Sequence, residues 1–174
     1  AHYERLKPLL DYVVPKMADL GIRDGRVLMA RDAQQMVSYL RQGKVDWITE
    51  TSGAALGFAE RANARIFLRS RRGGMFDYRS VFFARKDSGI RSIEDLPGRA
   101  LGLQHPMSTT AYLVPAAILL NHGIPLAIQA SPLEKPPPEF VGYVFARSES
   151  NLVTWVQKGL VDAAAFSNQD WDEL

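Results

Sequence analysis

Apolar residues at the start of the chain recur with the spacing of an amphipathic helix. The positions are Tyr3, Leu6, Leu9, Leu10, Val13, Val14 and Met17. Residues three and four apart lie on one face of a helix, where they can be buried together. The pattern therefore predicts a first helix that ends near Gly21, because glycine readily takes the left-handed conformation that closes a helix.

Residues that are favoured at the ends of helices predict the other helices. Asp32 is a candidate N-cap and Gly43 a candidate C′ residue for a second helix. Ser92 and Asp95 have the spacing of a capping box, which predicts one short helix there. Further helices are predicted over residues 54–62, from Ser108 onward, and over residues 150–158.

Short apolar runs between these helices predict seven strands. They cover residues 26–30, 45–49, 64–68, 78–85, 100–103, 141–145 and 161–166. Strands that alternate with helices are typical of α/β architecture with largely parallel sheets. The Pro-rich stretch 135–139 is predicted to be a surface loop.

One stretch of the chain is repeated. Residues 36–46 align without a gap to residues 152–162, with identical Gly, Val and Asp positions and an aromatic residue matched to an aromatic residue. The match predicts two α/β lobes in which helix, glycine stop and strand follow in the same order. It also predicts a ligand cleft where the strand ends of the two lobes face each other. The alternative is coincidence, because helix–glycine–strand is a common unit.

Composition narrows the class of protein. The 174 residues are 47% apolar and 23% charged, as expected of a globular protein. The net charge of +2 is too balanced to indicate nucleic-acid binding. A basic run comprises Arg65, Arg69, Arg71 and Arg72. It is read either as a solvated loop or as a site for a polyanion.

Other properties exclude whole classes of chemistry. The chain has no cysteine, which excludes disulfides, thiolate catalysis and zinc held by thiolates. No apolar stretch reaches the roughly 18 residues that a membrane-spanning helix needs. No pair of histidines or carboxylates has the spacing of a metal site. His105 lies three residues before Ser108, but no convincing third group completes a catalytic set.

Consecutive hydroxyl residues carry the strongest functional signal. A predicted strand ends near Leu103, and Ser108, Thr109 and Thr110 then open an apolar helix. The unpaired N–H groups and positive dipole of a helix start bind anions, and three hydroxyls add donors at the same point. The alternative is that Ser108 simply caps the helix.

The chain as a whole resembles a known family. Four fragments occur in order: KDSGI from Lys86, IEDLPG from Ile93, STTAYLVP from Ser108 and GLVD from Gly159. Together they resemble the phosphate/phosphite/phosphonate solute-binding proteins of ABC transporters, which are type II periplasmic binding proteins. The resemblance extends from about Leu9 to Trp171.

The resemblance implies a two-lobed α/β fold with mixed sheets flanked by helices and a ligand cleft between the lobes. It implies a first lobe over residues 1–80, a second over 81–166, and a return crossover over 167–174. Members usually have a strand before the helix that opens this chain and further residues after its end, so we expect the first strand of lobe 1 to be missing here.

The resemblance also implies the site. Phosphonate oxygens would be held by the hydroxyl run, and an aromatic residue and two polar loops would line the cleft. The implied ligand-binding residues are Ser108, Thr109, Thr110, Tyr78, Glu50, Thr51, Ser52, Glu149, Asn168 and Asp170. Strand alternation would place Arg79 on the face opposite Tyr78, so only one of the two should enter the cleft.

The function implied is that of a periplasmic or lipid-anchored receptor, not an enzyme. It would capture a small oxyanion or organophosphonate for an ABC transporter permease, with no cofactor, metal, nucleic acid or membrane span. One alternative is the periplasmic sensory domain of a membrane signalling protein. Another is an enzyme in which His105 and Ser108 act on a bound substrate.

Overall fold

A computed structural model describes residues 2–71 and 74–173. Arg72 and Gly73, which belong to the predicted basic run and its loop, lie outside these ranges. The chain divides into two compact units. One comprises Ala1–Ile48 and Arg61–Ala64, and the other comprises Thr49–Glu60 and Arg65–Leu174. The predicted lobe boundaries at residues 80 and 166 stay predictions.

The first unit contains the two predicted helices. Helix α1 covers His2–Val13 and continues as a 3₁₀ helix, Val14–Leu20. Gly21 ends it with a φ of +81°, as predicted. Helix α2 covers Ala33–Arg41, and the carboxylate of Asp32 caps it by accepting the N–H of Gln35 at 2.8 Å.

Three predicted strands are wrong. Residues 26–30, 45–49 and 64–68 run as irregular chain in the structure. A strand is stable only when its N–H and C=O groups pair with a neighbouring strand, and these segments form no ladder within the described residues. Their apolar side chains stay partly exposed, with Met29 at 53% and Leu68 at 69%. Trp47, predicted on a buried strand, is 40% exposed.

The second unit contains a five-stranded mixed sheet. The strands are β1 (Ser80–Ala84), β2 (Ala100–Leu103), β3 (Leu126–Ile128), β4 (Val141–Phe145) and β5 (Ala163–Ser167). Their order across the sheet is β1-β5-β2-β4-β3. Strands β2, β3, β4 and β5 are parallel, and β1 is antiparallel to β5, with Ser80 opposite Ser167. The predicted mixed α/β class is confirmed.

The other helices lie before, between and after these strands along the chain. They are α3 (Ser52–Ala62), a π-helical turn (Thr109–Leu113) that continues as α4 (Val114–Asn121), α5 (Glu149–Gln157) and α6 (Asn168–Glu173). A 3₁₀ turn covers Ile93–Asp95 and carries the predicted capping box of Ser92 and Asp95. Strand β3 and helix α6 were not predicted.

The core lies on both faces of the sheet. Side chains of a strand alternate between its faces, so Ala164 and Phe166 of β5 pack with Leu152 and Val156 of α5. Ala163 and Ala165 point the other way, into the cluster that holds buried Leu119 of α4. Strand β5, which lies between β1 and β2, is therefore buried on both faces.

The repeat is visible in how its two helices end. Gly43 and Gly159 have φ angles of +64° and +65°. The residue after each glycine donates its N–H to the carbonyl of the matched aromatic residue, Tyr39 at 2.9 Å and Trp155 at 2.8 Å. The helix and glycine stop thus recur in both copies, whereas a strand follows only the second copy.

The strand directions place three helix starts at one edge. The carboxyl ends of β2, β4 and β5 lie together because these strands are parallel. The π-helical turn, α5 and α6 follow them in turn. Helix starts carry unpaired N–H groups and partial positive charge, so this edge of the second unit suits an anion.

Candidate functional site

The hydroxyl run opens the helix as predicted, but its first turn is π-helical. Ser108 is the N-cap, and its Oγ accepts the N–H of Ala111 at 3.2 Å. The N–H of Leu113 donates to the carbonyl of Ser108 at 2.9 Å, which is the five-residue spacing of a π-helix.

Pro115 explains much of this geometry. Proline has no N–H, so the Ala111 carbonyl lacks its usual donor four residues on. The N–H of Gln104 supplies that bond instead, at 3.0 Å. The carbonyl of Thr110 accepts from the hydroxyl of Ser80 at 2.8 Å. The first turn is therefore held by groups from β1 and from the loop after β2.

Two main-chain donors at this helix start stay available. Among the residues that the structure describes, the amides of Thr109 and Thr110 meet no hydrogen-bond acceptor. The first N–H groups of a helix have no partner within it. These amides can therefore donate to an anion.

The start of helix α3 lies against the same point. The N–H of Gly53 donates to Thr109 Oγ1 at 2.9 Å, across 56 positions of sequence. A Cβ at Gly53 would lie 2.4 Å from Leu113 Cδ1 and 2.9 Å from Thr109 Oγ1, so any other residue would require these two side chains to shift. Two helix starts, both favourable for negative charge, are thereby brought together.

The hydroxyls of Ser108 and Thr109 keep their protons for a ligand. Each oxygen accepts one main-chain N–H, from Ala111 and from Gly53 respectively. A hydroxyl can accept and donate at the same time. Both groups therefore serve the fold as acceptors and can serve an anion as donors.

A cleft of about 370 Å³ opens beside these groups. We call it the hydroxyl cleft, and it is lined by Ser52, Phe76, Asp77, Tyr78, Arg79, Ser80, Thr109, Thr110, Val114 and Ile118. Four of the predicted site residues share its wall, namely Ser52, Tyr78, Thr109 and Thr110. Ser108, the cap of the same turn, is buried with 8% exposure.

The other two residues of the predicted first loop lie next to Ser52. Thr51 directly precedes helix α3, and its carbonyl accepts the N–H of Ala55 at 2.8 Å. Glu50 is exposed, and its carboxylate accepts the N–H of Thr51 at 3.3 Å. Neither contributes to the lining of the hydroxyl cleft.

The alternation predicted for Tyr78 and Arg79 is wrong, because both contribute to the lining. The pleated strand β1 begins only at Ser80, so the preceding residues do not alternate as a strand would. The main chain of Arg79 is fixed by Asn168 on two sides. Its N–H donates to Asn168 Oδ1 at 2.8 Å, and its carbonyl accepts the N–H of Asn168 at 3.0 Å.

The predicted residues of the other strand ends have protein partners. The Glu149 carboxylate accepts from the side-chain amide of Gln104. The Asp170 carboxylate accepts the hydroxyl proton of Ser167. Together with Asn168, these residues are absent from the lining of the hydroxyl cleft. Their contact with a ligand stays a prediction.

His105 does not form a pair with Ser108. Its Nδ1 accepts the N–H of Met107 at 3.2 Å, and its carbonyl accepts the N–H of Ser108 at 3.0 Å. The serine hydroxyl instead caps the helix. One main-chain hydrogen bond therefore joins the two residues, without the base–nucleophile contact that catalysis needs.

The sequence did not point to Ser80 or Phe76 as residues of the cleft. Ser80 begins β1 two residues after Tyr78, so a hydroxyl close to a predicted ligand residue was the available signal. Phe76 follows a Gly-rich loop without periodicity, and no local signal indicates where its ring lies.

Fold and site together define an α/β ligand-binding domain with an anion-suited edge. The family model described as "ABC transporter, phosphonate, periplasmic substrate-binding protein" matches residues 1–174. The chain belongs to this family, as its sequence fragments predicted. The family is one of extracytoplasmic substrate-binding proteins and not of enzymes.

Solved structures agree with this assignment. XAC2383 from Xanthomonas citri, bound to ATP, is 48% identical with a TM-score of 0.95, over 98% of this chain and 62% of that one. The same protein bound to chloride ion is also 48% identical, with a TM-score of 0.96, over 99% of this chain and 62% of that one. A third structure is PA3383 from Pseudomonas aeruginosa, a binding-protein component of an ABC phosphonate transporter. It is 25% identical, with a TM-score of 0.64, over 98% of this chain and 55% of that one.

This chain thus spans less than two thirds of the length of these relatives. No curated protein matches it. Within the part of the chain that the structure describes, no helix is both long enough and apolar enough to cross a bilayer.

Proposed function

We propose that the protein is an extracytoplasmic receptor that captures a phosphonate- or phosphate-type oxyanion and delivers it to an ABC transporter permease. The observation that carries this proposal is the meeting of two helix starts at Thr109. The donors available at this helix start are the main-chain amides of Thr109 and Thr110 and the hydroxyl protons of Ser108 and Thr109.

The chemistry of the site favours a phosphoryl group. A tetrahedral oxyanion has several acceptor oxygens and needs several short donors, which amides and hydroxyls at a helix start supply. Charge-assisted hydrogen bonds are about twice as strong as neutral ones. The 48%-identical Xanthomonas protein bound to ATP and to chloride supports a negatively charged ligand, and the first of these supports a phosphoryl group.

The predicted residues outside the hydroxyl cleft belong to the same proposal. Glu50 and Thr51 lie beside Ser52, and Glu149, Asn168 and Asp170 lie at the ends of β4 and β5. A carboxylate repels phosphate and pairs with ammonium. Glu149 and Asp170 are therefore proposed to contact the organic end of an aminoalkyl ligand. Periplasmic or lipid-anchored placement also belongs to this proposal.

A thermal-shift panel tests the proposal. The purified protein is melted with phosphate, phosphite, sulfate, methylphosphonate and 2-aminoethylphosphonate, because a ligand that binds only the folded state raises the melting temperature. We expect a rise with at least one phosphorus oxyanion, lost in the variant Ser108→Ala/Thr109→Ala.

Thr154→Ala is the matched control, since the Thr154 hydroxyl donates to the Ser150 carbonyl within α5, away from the hydroxyl cleft. It should keep the full shift. If none of the anions shifts the melting temperature of the folded wild-type protein, the oxyanion proposal is wrong. Delivery to a permease is checked by uptake of the same ligand in cells with and without the protein.

A further inference from the structure

The segment before β1 carries an excess of positive charge beside the hydroxyl cleft. Its described residues, 69–71 and 74–79, include Arg69, Arg71 and Arg79 but only one carboxylate, Asp77. Asp77 pairs with Arg69 at 3.5 Å. Within the described ranges, Arg71 and Arg79 form no ion pair with a carboxylate.

Two of these arginines lie over the same aromatic ring. The guanidinium carbons of Arg69 and Arg71 lie 4.8 and 4.4 Å from the centre of the Phe76 ring. Cation–π attraction favours each contact, but the two like charges repel each other, and Asp77 offsets only that of Arg69. An anion bound by Arg71 would offset the positive charge that Asp77 leaves uncompensated.

Phe76 and Arg79 are also part of the wall of the hydroxyl cleft, together with Thr109 and Thr110. The basic segment and the helix start thus face the same space. Pockets of about 300–1,000 Å³ hold organic ligands of drug size, and the cleft measures about 370 Å³. It therefore has room for more than one phosphoryl group.

Arg79 is held firmly enough to serve as a binding residue. Both its N–H and its carbonyl are bonded to Asn168, which anchors it at the end of the β1–β5 ladder. Its side chain is exposed and projects from a fixed main chain. The guanidinium group binds phosphate oxygens through paired N–H donors, which makes arginine the preferred residue for this contact.

We propose that Arg71, Phe76 and Arg79 form a second subsite of the hydroxyl cleft, which binds the additional phosphoryl groups of an organic polyphosphate such as a nucleoside triphosphate. This inference rests on the proposed function, because the first phosphoryl group is bound by the hydroxyl run. The face of Phe76 supplies an apolar surface for the organic part of the ligand.

Isothermal titration calorimetry on the purified protein tests the second subsite. The ligands are inorganic phosphate, methylphosphonate, AMP, ATP and tripolyphosphate. We expect ATP to bind at least about tenfold more tightly than AMP, since each charge-assisted contact is worth roughly tenfold or more in affinity. Tripolyphosphate separates recognition of the phosphoryl groups from the contribution of the aromatic ring.

The variant Arg71→Gln/Arg79→Gln should weaken ATP binding by about 10- to 100-fold, on the same basis. Binding of inorganic phosphate or methylphosphonate should change less than about threefold and also reports that the variant is folded. The control Arg91→Gln/Lys158→Gln removes the same charge from exposed positions at the opposite edge of the sheet and should bind ATP as the wild type does.

The outcomes separate the two proposals. If ATP binds no more tightly than AMP, or if the double variant keeps full ATP affinity or loses phosphate equally, the second subsite is wrong. In each of these cases wild-type binding of phosphate or methylphosphonate leaves the proposed function standing. If none of these ligands binds the wild-type protein, both proposals are wrong.

Discussion

The hydrogen bond from Gly53 to Thr109 makes a prediction about both stability and binding. Thr109→Val keeps the shape of the side chain but removes the acceptor for the Gly53 N–H, which is partly buried at 2.9 Å from Oγ1. Valine also cannot donate to an anion. The variant therefore tests both uses of the same oxygen.

The effect on folding follows from the burial of the bond. A typical intramolecular hydrogen bond contributes about 0.5–1.5 kcal/mol to stability, and more when a buried donor is left without a partner. We expect the free energy of unfolding to fall by about 1 kcal/mol. For a chain of this size that lowers the melting temperature by about 2–4 °C.

The effect on binding should be larger. A hydrogen bond to a charged group is worth about 1.5–3 kcal/mol, which corresponds to a loss of roughly 10- to 150-fold in affinity for phosphate or methylphosphonate. Urea denaturation of the ligand-free protein measures the first effect, and titration calorimetry measures the second.

Two controls identify the cause. Thr109→Ser keeps the oxygen and should stay close to the wild type in both measurements. Thr110→Val makes the same chemical change at the neighbouring residue, whose hydroxyl has no hydrogen-bond partner among the described residues, so stability should be unchanged. A Thr109→Val protein as stable as the wild type, with affinity within twofold, would refute the role assigned to this oxygen.

Two further predictions concern the fold of the second unit. Leu152 is fully buried at 0% exposure, so Leu152→Ala should lower the free energy of unfolding by about 2–5 kcal/mol in urea denaturation. A loss below about 1 kcal/mol would contradict the packing of α5 on the sheet. The pKa of Asp95 is lowered because its carboxylate accepts the N–H groups of Arg91 and Ser92. The contribution of this carboxylate to the stability of the fold is therefore complete above the ordinary aspartate pKa of about 4. It is lost as the pH falls through the lowered pKa of the folded state. In urea denaturation at a series of pH values, Asp95→Asn should lose less stability than the wild type as the pH falls below about 4. An equal loss in the two proteins would contradict the role given to this carboxylate.

The parts of the fold that the sequence predicts well are those with complete local signals. Strands β2 and β4 have the predicted bounds because apolar runs there end at clear turn residues. Strand β3 was missed because Leu126–Ile128 is too short for a pattern. The three wrong strands have the correct composition, but composition cannot show whether a neighbouring strand is present to pair with them.

The candidate site was likewise predicted only where the signal is local. Three adjacent hydroxyls before an apolar helix are visible in the sequence, and their place at a helix start is confirmed. The contact of Gly53 with Thr109 joins residues 56 positions apart, and no local pattern predicts it. The π-helical turn was also not predicted, although Pro115 was the available signal, because the groups that replace its missing N–H come from distant segments.

The bonds that hold the helix start have a consequence for how fast and at what entropic cost a ligand binds. Capping by Ser108, the bond from Gly53, and the external donors Gln104 and Ser80 fix this turn without any ligand. The conformational entropy of aligning its donors is therefore lost during folding and not during association. On this wall of the cleft the donors need no reordering when an anion arrives, which lowers the entropic cost of binding and favours rapid capture.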